Sequence, residues 1–115
     1  MIVIGKSIGK EYKAISDFLL SLNFNISSKG FVYWVFAIKH YRHNYYKYDN
    51  TIETVYRDIA KNFNTTRNRV ERDMRTARKG INLDRFNYTG KITNKKILSL
   101  ITHYIIFWGG IIWNK

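Results

Sequence analysis

The stretch TVYRDIAKNFNTTRNRVERDMRTAR, residues 54–78, carries two helical patterns separated by a short break. In the first, Ile52, Val55, Tyr56, Ile59, Ala60 and Phe63 recur at helical spacing and lie on one face. In the second, Val70, Met74, Ala77 and Ile81 fall within about 40° of Val70 when each residue advances about 100°. Between them, Asn64 tolerates the left-handed conformation and Thr65-Thr66 offers an N-cap hydroxyl. Two helices joined by so tight a turn are the parts of a helix-turn-helix. Ala60 is small enough to let the helices cross closely, and Val70, ten positions on, locks the second helix onto the first.

The second helix also has a polar side, and its charge is one-sided. Residues 67–79 hold six basic and two acidic side chains, a net of four positive. Arg69, Arg72, Arg75, Thr76 and Lys79, with Asn68, occupy the arc opposite the apolar stripe. A charge run of this kind is often only a solvated face. The rest of the chain decides otherwise.

Lys and Arg number 20 against 8 Asp and Glu, a formal charge of +12 with a pI near 10.0. So large an excess on 115 residues repels itself unless a polyanion is present, with nucleic acid the first candidate and an anionic membrane surface the second. Cysteine is absent, which excludes disulfide scaffolds and thiolate metal sites and is compatible with a cytoplasmic location. The segment ILSLITHYIIFWGGIIW (97–113) is interrupted by polar residues and a Gly109-Gly110 break, so no membrane-spanning helix is expected. The apolar content of 45% is ample for a folded core.

Outward from residues 54–78 the helical period continues. Ile15, Phe18, Leu19 and Leu22 predict a first helix, and NISSKG (25–30) a loop. Phe31, Trp34, Val35 and Ile38 mark a second helix running to about Tyr46. Residues 82–88 are read as a short fifth helix and about 94–107 as a sixth, while MIVI is a small strand or an apolar arm. The expectation is one all-α domain over residues 1–115, about six helices around a helix-turn-helix of the winged-helix-like or effector-domain type.

The same residues resemble a known family. Val55-Tyr56, Ile59-Ala60, Phe63-Asn64-Thr65-Thr66, Arg69-Val70-Glu71-Arg72 and Arg75 are similar to the helix-turn-helix of the DNA-binding effector domain of stage-zero sporulation protein A. LSLNFNISSKGFVYW (20–34) and FNYTGKITNKKILSLITHYI (86–105) extend the likeness along most of the chain. Arg57 stands where that family has proline, and Thr76 where it usually has histidine. The resemblance implies a cytoplasmic bacterial transcription regulator that binds double-stranded DNA by placing residues 66–79 in the major groove. It implies base contacts from Arg69, Glu71, Arg72 and Arg75. Arginine can fork onto guanine O6 and N7, and glutamate can accept from cytosine N4. Backbone contacts are expected from Lys61, Thr65, Thr66, Arg67, Thr76 and Lys79. A receiver domain is not expected in the chain, so a homodimer through residues 105–113 is the expected means of pairing.

Other chemistry finds less support. GKS (5–7) lacks the first glycine of a phosphate-binding loop, and His40 and His43 have no third ligand at convincing spacing. No acid pair or nucleophile triad is present, so neither an enzyme nor a cofactor is expected. Two other functions stay open at this level. The apolar tail could bind a regulator or polymerase, or Tyr41, Tyr45, Tyr46 and Tyr48, interleaved with Lys39, Arg42 and Lys47, could stack on unpaired bases.

Overall fold

A computed structural model describes residues 6–47 and 50–108, and among these every regular element is helical. The order is α1 (Lys6–Ser21), α2 (Lys29–His43), α3 (Ile52–Asn62), α4 (Arg67–Ala77), a 3-10 turn (Asp84–Phe86) and α5 (Asn94–Trp108). The expected arm or strand at MIVI lies outside the described residues.

Helix α2 runs through the middle and packs against the other four α-helices. Its Trp34, Ala37 and Ile38 are fully buried, with Ile15 and Leu19 of α1, Val55 of α3, Val70 and Met74 of α4, and Ile97 and Ile101 of α5. The α4 stripe read from the sequence is therefore core, with Val70, Met74 and Ala77 at 0% exposure.

Each helix near the turn is bounded by its own cap. The Thr51 hydroxyl accepts from the Thr54 amide at 3.2 Å, opening α3. The chain then reverses at Asn64, whose φ of 53° is the left-handed turn expected of it. The Thr65 amide donates to the Ala60 carbonyl at 2.9 Å, and the Thr66 hydroxyl accepts from the Arg69 amide at 3.2 Å. This reversal fixes the angle at which α4 leaves α3.

Four boundaries differ from the expected ones. Helix α2 starts at Lys29, because the Ser28 hydroxyl accepts from the Gly30 amide. It ends at His43, where Asn44 leaves helical geometry and caps it. The expected helix over 82–88 is one 3-10 turn, stopped by Asn87 at a left-handed φ of 50°. Helix α4 ends at Ala77 rather than 79, and Gly80, at φ +80°, turns the chain away.

Candidate nucleic-acid interface

Helix α4 is held almost entirely from behind, and much of the holding is done through its backbone. The indole of Trp34 donates to the Met74 carbonyl at 2.8 Å in the buried interior. Gly30 lies so close to α4 that a Cβ there would sit 1.8 Å from the Asp73 carbonyl oxygen. Only glycine permits that approach. The Asn25 amide donates to the Ala77 carbonyl at 3.0 Å, and the Asn82 amide returns to Leu22 at 2.9 Å.

On the other flank the buried Asn94 gathers three elements. Its Nδ2 donates to the Tyr56 hydroxyl and to the Glu71 carbonyl, both at 3.1 Å. Its Oδ1 accepts from Arg78 Nε at 2.6 Å. Burial, the largest influence, raises the Tyr56 phenol pKa, so the hydroxyl stays neutral and able to donate. The sequence places Asn94 only as the first residue of the last helix. Its role depends on groups from three separate segments, and no local spacing signals it.

With its back fixed, α4 projects an exposed face bearing Asn68, Arg69, Arg72, Arg75 and Thr76, and the exposed Lys79 follows just past its end. Arg72 is the most central of the expected base-reading residues, its side chain 59% exposed and 3.5 Å from the neighbouring Asp73 carboxylate. Arg75 is tied to Glu71 one turn earlier, Nη1 lying 2.9 and 3.2 Å from the two carboxylate oxygens. By the helical advance of about 100° per residue, Arg69 and Glu71 stand about 160° apart around α4. The four do not share one narrow edge. Arg72 and Arg75 form the centre, and Arg69 and Glu71 form opposite margins.

Among the expected backbone contacts, Lys61, Thr66, Thr76 and Lys79 are exposed and Thr65 is half-buried. Arg67 is occupied differently. Its Nε donates to Glu53 Oε1 at 2.9 Å, Nη2 donates to Oε2, and the guanidinium lies 4.8 Å over the Tyr56 ring. The hydrogen bond from Arg67 is the main reason the Glu53 carboxyl is held below its usual range. Arg67 thus clamps α4 to α3, a role that spacing did not reveal.

Elsewhere, Arg42 and His43 both turn to the largely buried Glu11, at 3.1 and 2.9 Å, and His40 lies 3.3 Å from Asp58. The two histidines therefore face different carboxylates. Tyr41 and Tyr45 are half-buried and meet edge to face, and Tyr45 also packs on Phe107 of α5. Tyr46 is 83% exposed, and Tyr48 lies outside the described residues. Within the expected dimer segment, Ile105 belongs to the core rather than the surface, while Phe107 is 51% exposed. The Trp108 side chain and residues 109–113 lie outside the described residues.

A capped tight turn and a basic, back-pinned second helix form a helix-turn-helix, and comparison with known families agrees. A family model described as sporulation initiation factor Spo0A C terminal matches residues 15–105, from within α1 to near the end of α5. The chain belongs to the Spo0A C-terminal family. The Spo0A C-terminal domain is the DNA-binding effector domain of sporulation regulators, which assigns this chain to DNA binding in transcription regulation. Comparison with curated proteins gives no match. Among the described residues of this Spo0A C-terminal domain, no helix is long and apolar enough to cross a membrane.

Proposed function

We propose that the protein is a sequence-specific, cytoplasmic regulator that inserts residues 66–79 into the major groove of double-stranded DNA, acting by binding rather than catalysis. The observation that carries this reading is the exposed basic face of α4 on a helix whose opposite side is buried and hydrogen-bonded from behind. A rigid helix that offers arginines outward can read bases without reorganising. Arg72 and Arg75 read the central bases, with Arg69 and Glu71 at the margins. Glu71 also orients Arg75 through their ion pair, which aims the fork before DNA arrives. Lys61, Thr65, Thr66, Thr76 and Lys79 hold phosphates. Arg67 is already engaged by Glu53, so its expected phosphate contact would have to be made alongside that ion pair.

Pairing of two copies through the C-terminal segment that begins at Phe107 would let two short half-sites be bound together. Selection of bound sequences from a random duplex pool tests the central reading. A single enriched motif is the expected result, and an unenriched pool overturns base reading.

A further inference from the structure

The flank of α4 that faces α5 carries charge that the reading face does not account for. A groove runs there between α3, α4 and the start of α5, with the charged side chains of Glu53, Arg67, Glu71, Arg75, Arg78 and Lys95 in its walls. Glu53 is engaged by Arg67, and Glu71 by Arg75. Arg78 and Lys95 are then left as two cations with no carboxylate partner among the described residues.

Arg78 is the costlier of the two. Its Nε is bonded to Asn94, but its Nη groups have no acceptor among the described residues. Burial, and then the nearby Arg75 charge, push the guanidinium pKa down. A partly desolvated cation beside another cation is an arrangement that a bound anion relieves.

We propose that this groove holds a phosphodiester of the DNA strand running along the α5 side of α4, with Arg78 and Lys95 as its ligands. The proposal rests on the reading of α4 as the groove-entering helix. A major groove about 12 Å wide fits a helix of about 10–12 Å, so the backbones of both strands pass along its flanks. The contacts expected from the sequence come from α3, the turn and α4, and none comes from α5. Arg78 and Lys95 supply the missing side, and they lie where the second strand passes. Lys95 is exposed, so its removal leaves the core alone.

The test uses the intact chain and Lys95→Ala on the selected duplex and on unrelated duplexes, over a range of salt. Thermal unfolding is measured alongside to confirm that the variant is folded. Affinity should fall about five- to tenfold on every duplex at about 0.1 M salt, and the log–log salt slope should shrink by about 0.9. The preferred bases should not change. In ethylation interference, one phosphate that matters to the intact chain should cease to matter to the variant. Unchanged affinity, slope and interference pattern would overturn the proposal, as would a changed base preference. Loss of binding to phosphatidylglycerol vesicles but not to duplexes would overturn it too, in favour of a lipid headgroup. Arg72→Ala in the same assay separates the two readings. If it relaxes base preference while Lys95→Ala changes nothing, the groove assignment fails alone. An intact chain with no duplex preference removes both.

Discussion

Arg72 shows how much one side chain on this surface can decide. Among the described residues its ion pair is with Asp73 of its own helix, and it sits at the centre of the α4 face. Arg72→Ala is expected to cost about 1–3 kcal/mol at one base position and to relax the preference there. Competition between single-base variants of the selected duplex measures this, and uniform weakening would reassign Arg72 to phosphate. Arg67 gives a contrasting expectation, in stability rather than recognition. Its hydrogen bond holds the Glu53 carboxyl below the ordinary glutamate value of about 4.3. The stabilisation is therefore fully present above that value and is lost as pH falls through the lower folded value. Glu53→Gln should flatten the acid limb of the melting temperature below that ordinary value, read by circular dichroism. An acid limb identical to that of the parent would show that the pair contributes nothing.

The helices bordering the turn were the most legible elements, because their signals are local. Apolar spacing located α3 and α4, and Asn64 with Thr66 located the reversal between them. What joins α4 to the rest was not legible, since it is made by atoms brought together only in the fold. Gly30 was read as the end of a loop, yet it lies in the first turn of α2, where its missing side chain admits the Asp73 carbonyl. Gly30→Ala should destabilise by about 1–3 kcal/mol or more through overpacking. Chemical denaturation tests this, and wild-type stability would mean that α2 and α4 can slide apart freely. Asn94 was likewise seen only as the first residue of a helix. Asn94→Ala strands the Arg78 Nε and the Tyr56 hydroxyl, at about 1–3 kcal/mol for each buried group left unsatisfied. The candidate base readers were visible because exposed residues of α4 follow its period. Their ranking into centre and margin required knowing which flank each neighbour covers.

At the scale of the molecule, a charge of +12 makes DNA binding steeply salt dependent, with a slope of about −0.9 for each phosphate contacted. The basic segment that follows the middle of α2 is not uniform in this respect. Arg42 is engaged with Glu11, whereas Lys39 and Lys47 have no ion pair among the described residues. Changing Lys39 and Lys47 to glutamine should flatten the salt slope if that end of α2 touches the backbone, and an unchanged slope would make it a solvated face. The pairing of copies has its own test. Sedimentation of the intact chain and of Trp108→Ser/Trp113→Ser, free and on two-site DNA, should show association that the substitutions abolish. Independent binding of two monomers by the intact chain would end the dimer proposal.

Because the bonds that fix α4 from behind end largely on its carbonyl oxygens, the fold is indifferent to much of what α4 displays. Asn68, Arg69, Arg72, Thr76 and Lys79 can be exchanged without touching Trp34, Gly30 or Asn94. Heritable variation at these positions therefore changes which operator is recognised while the scaffold persists, so diverging regulators can acquire new targets by drift at a handful of codons.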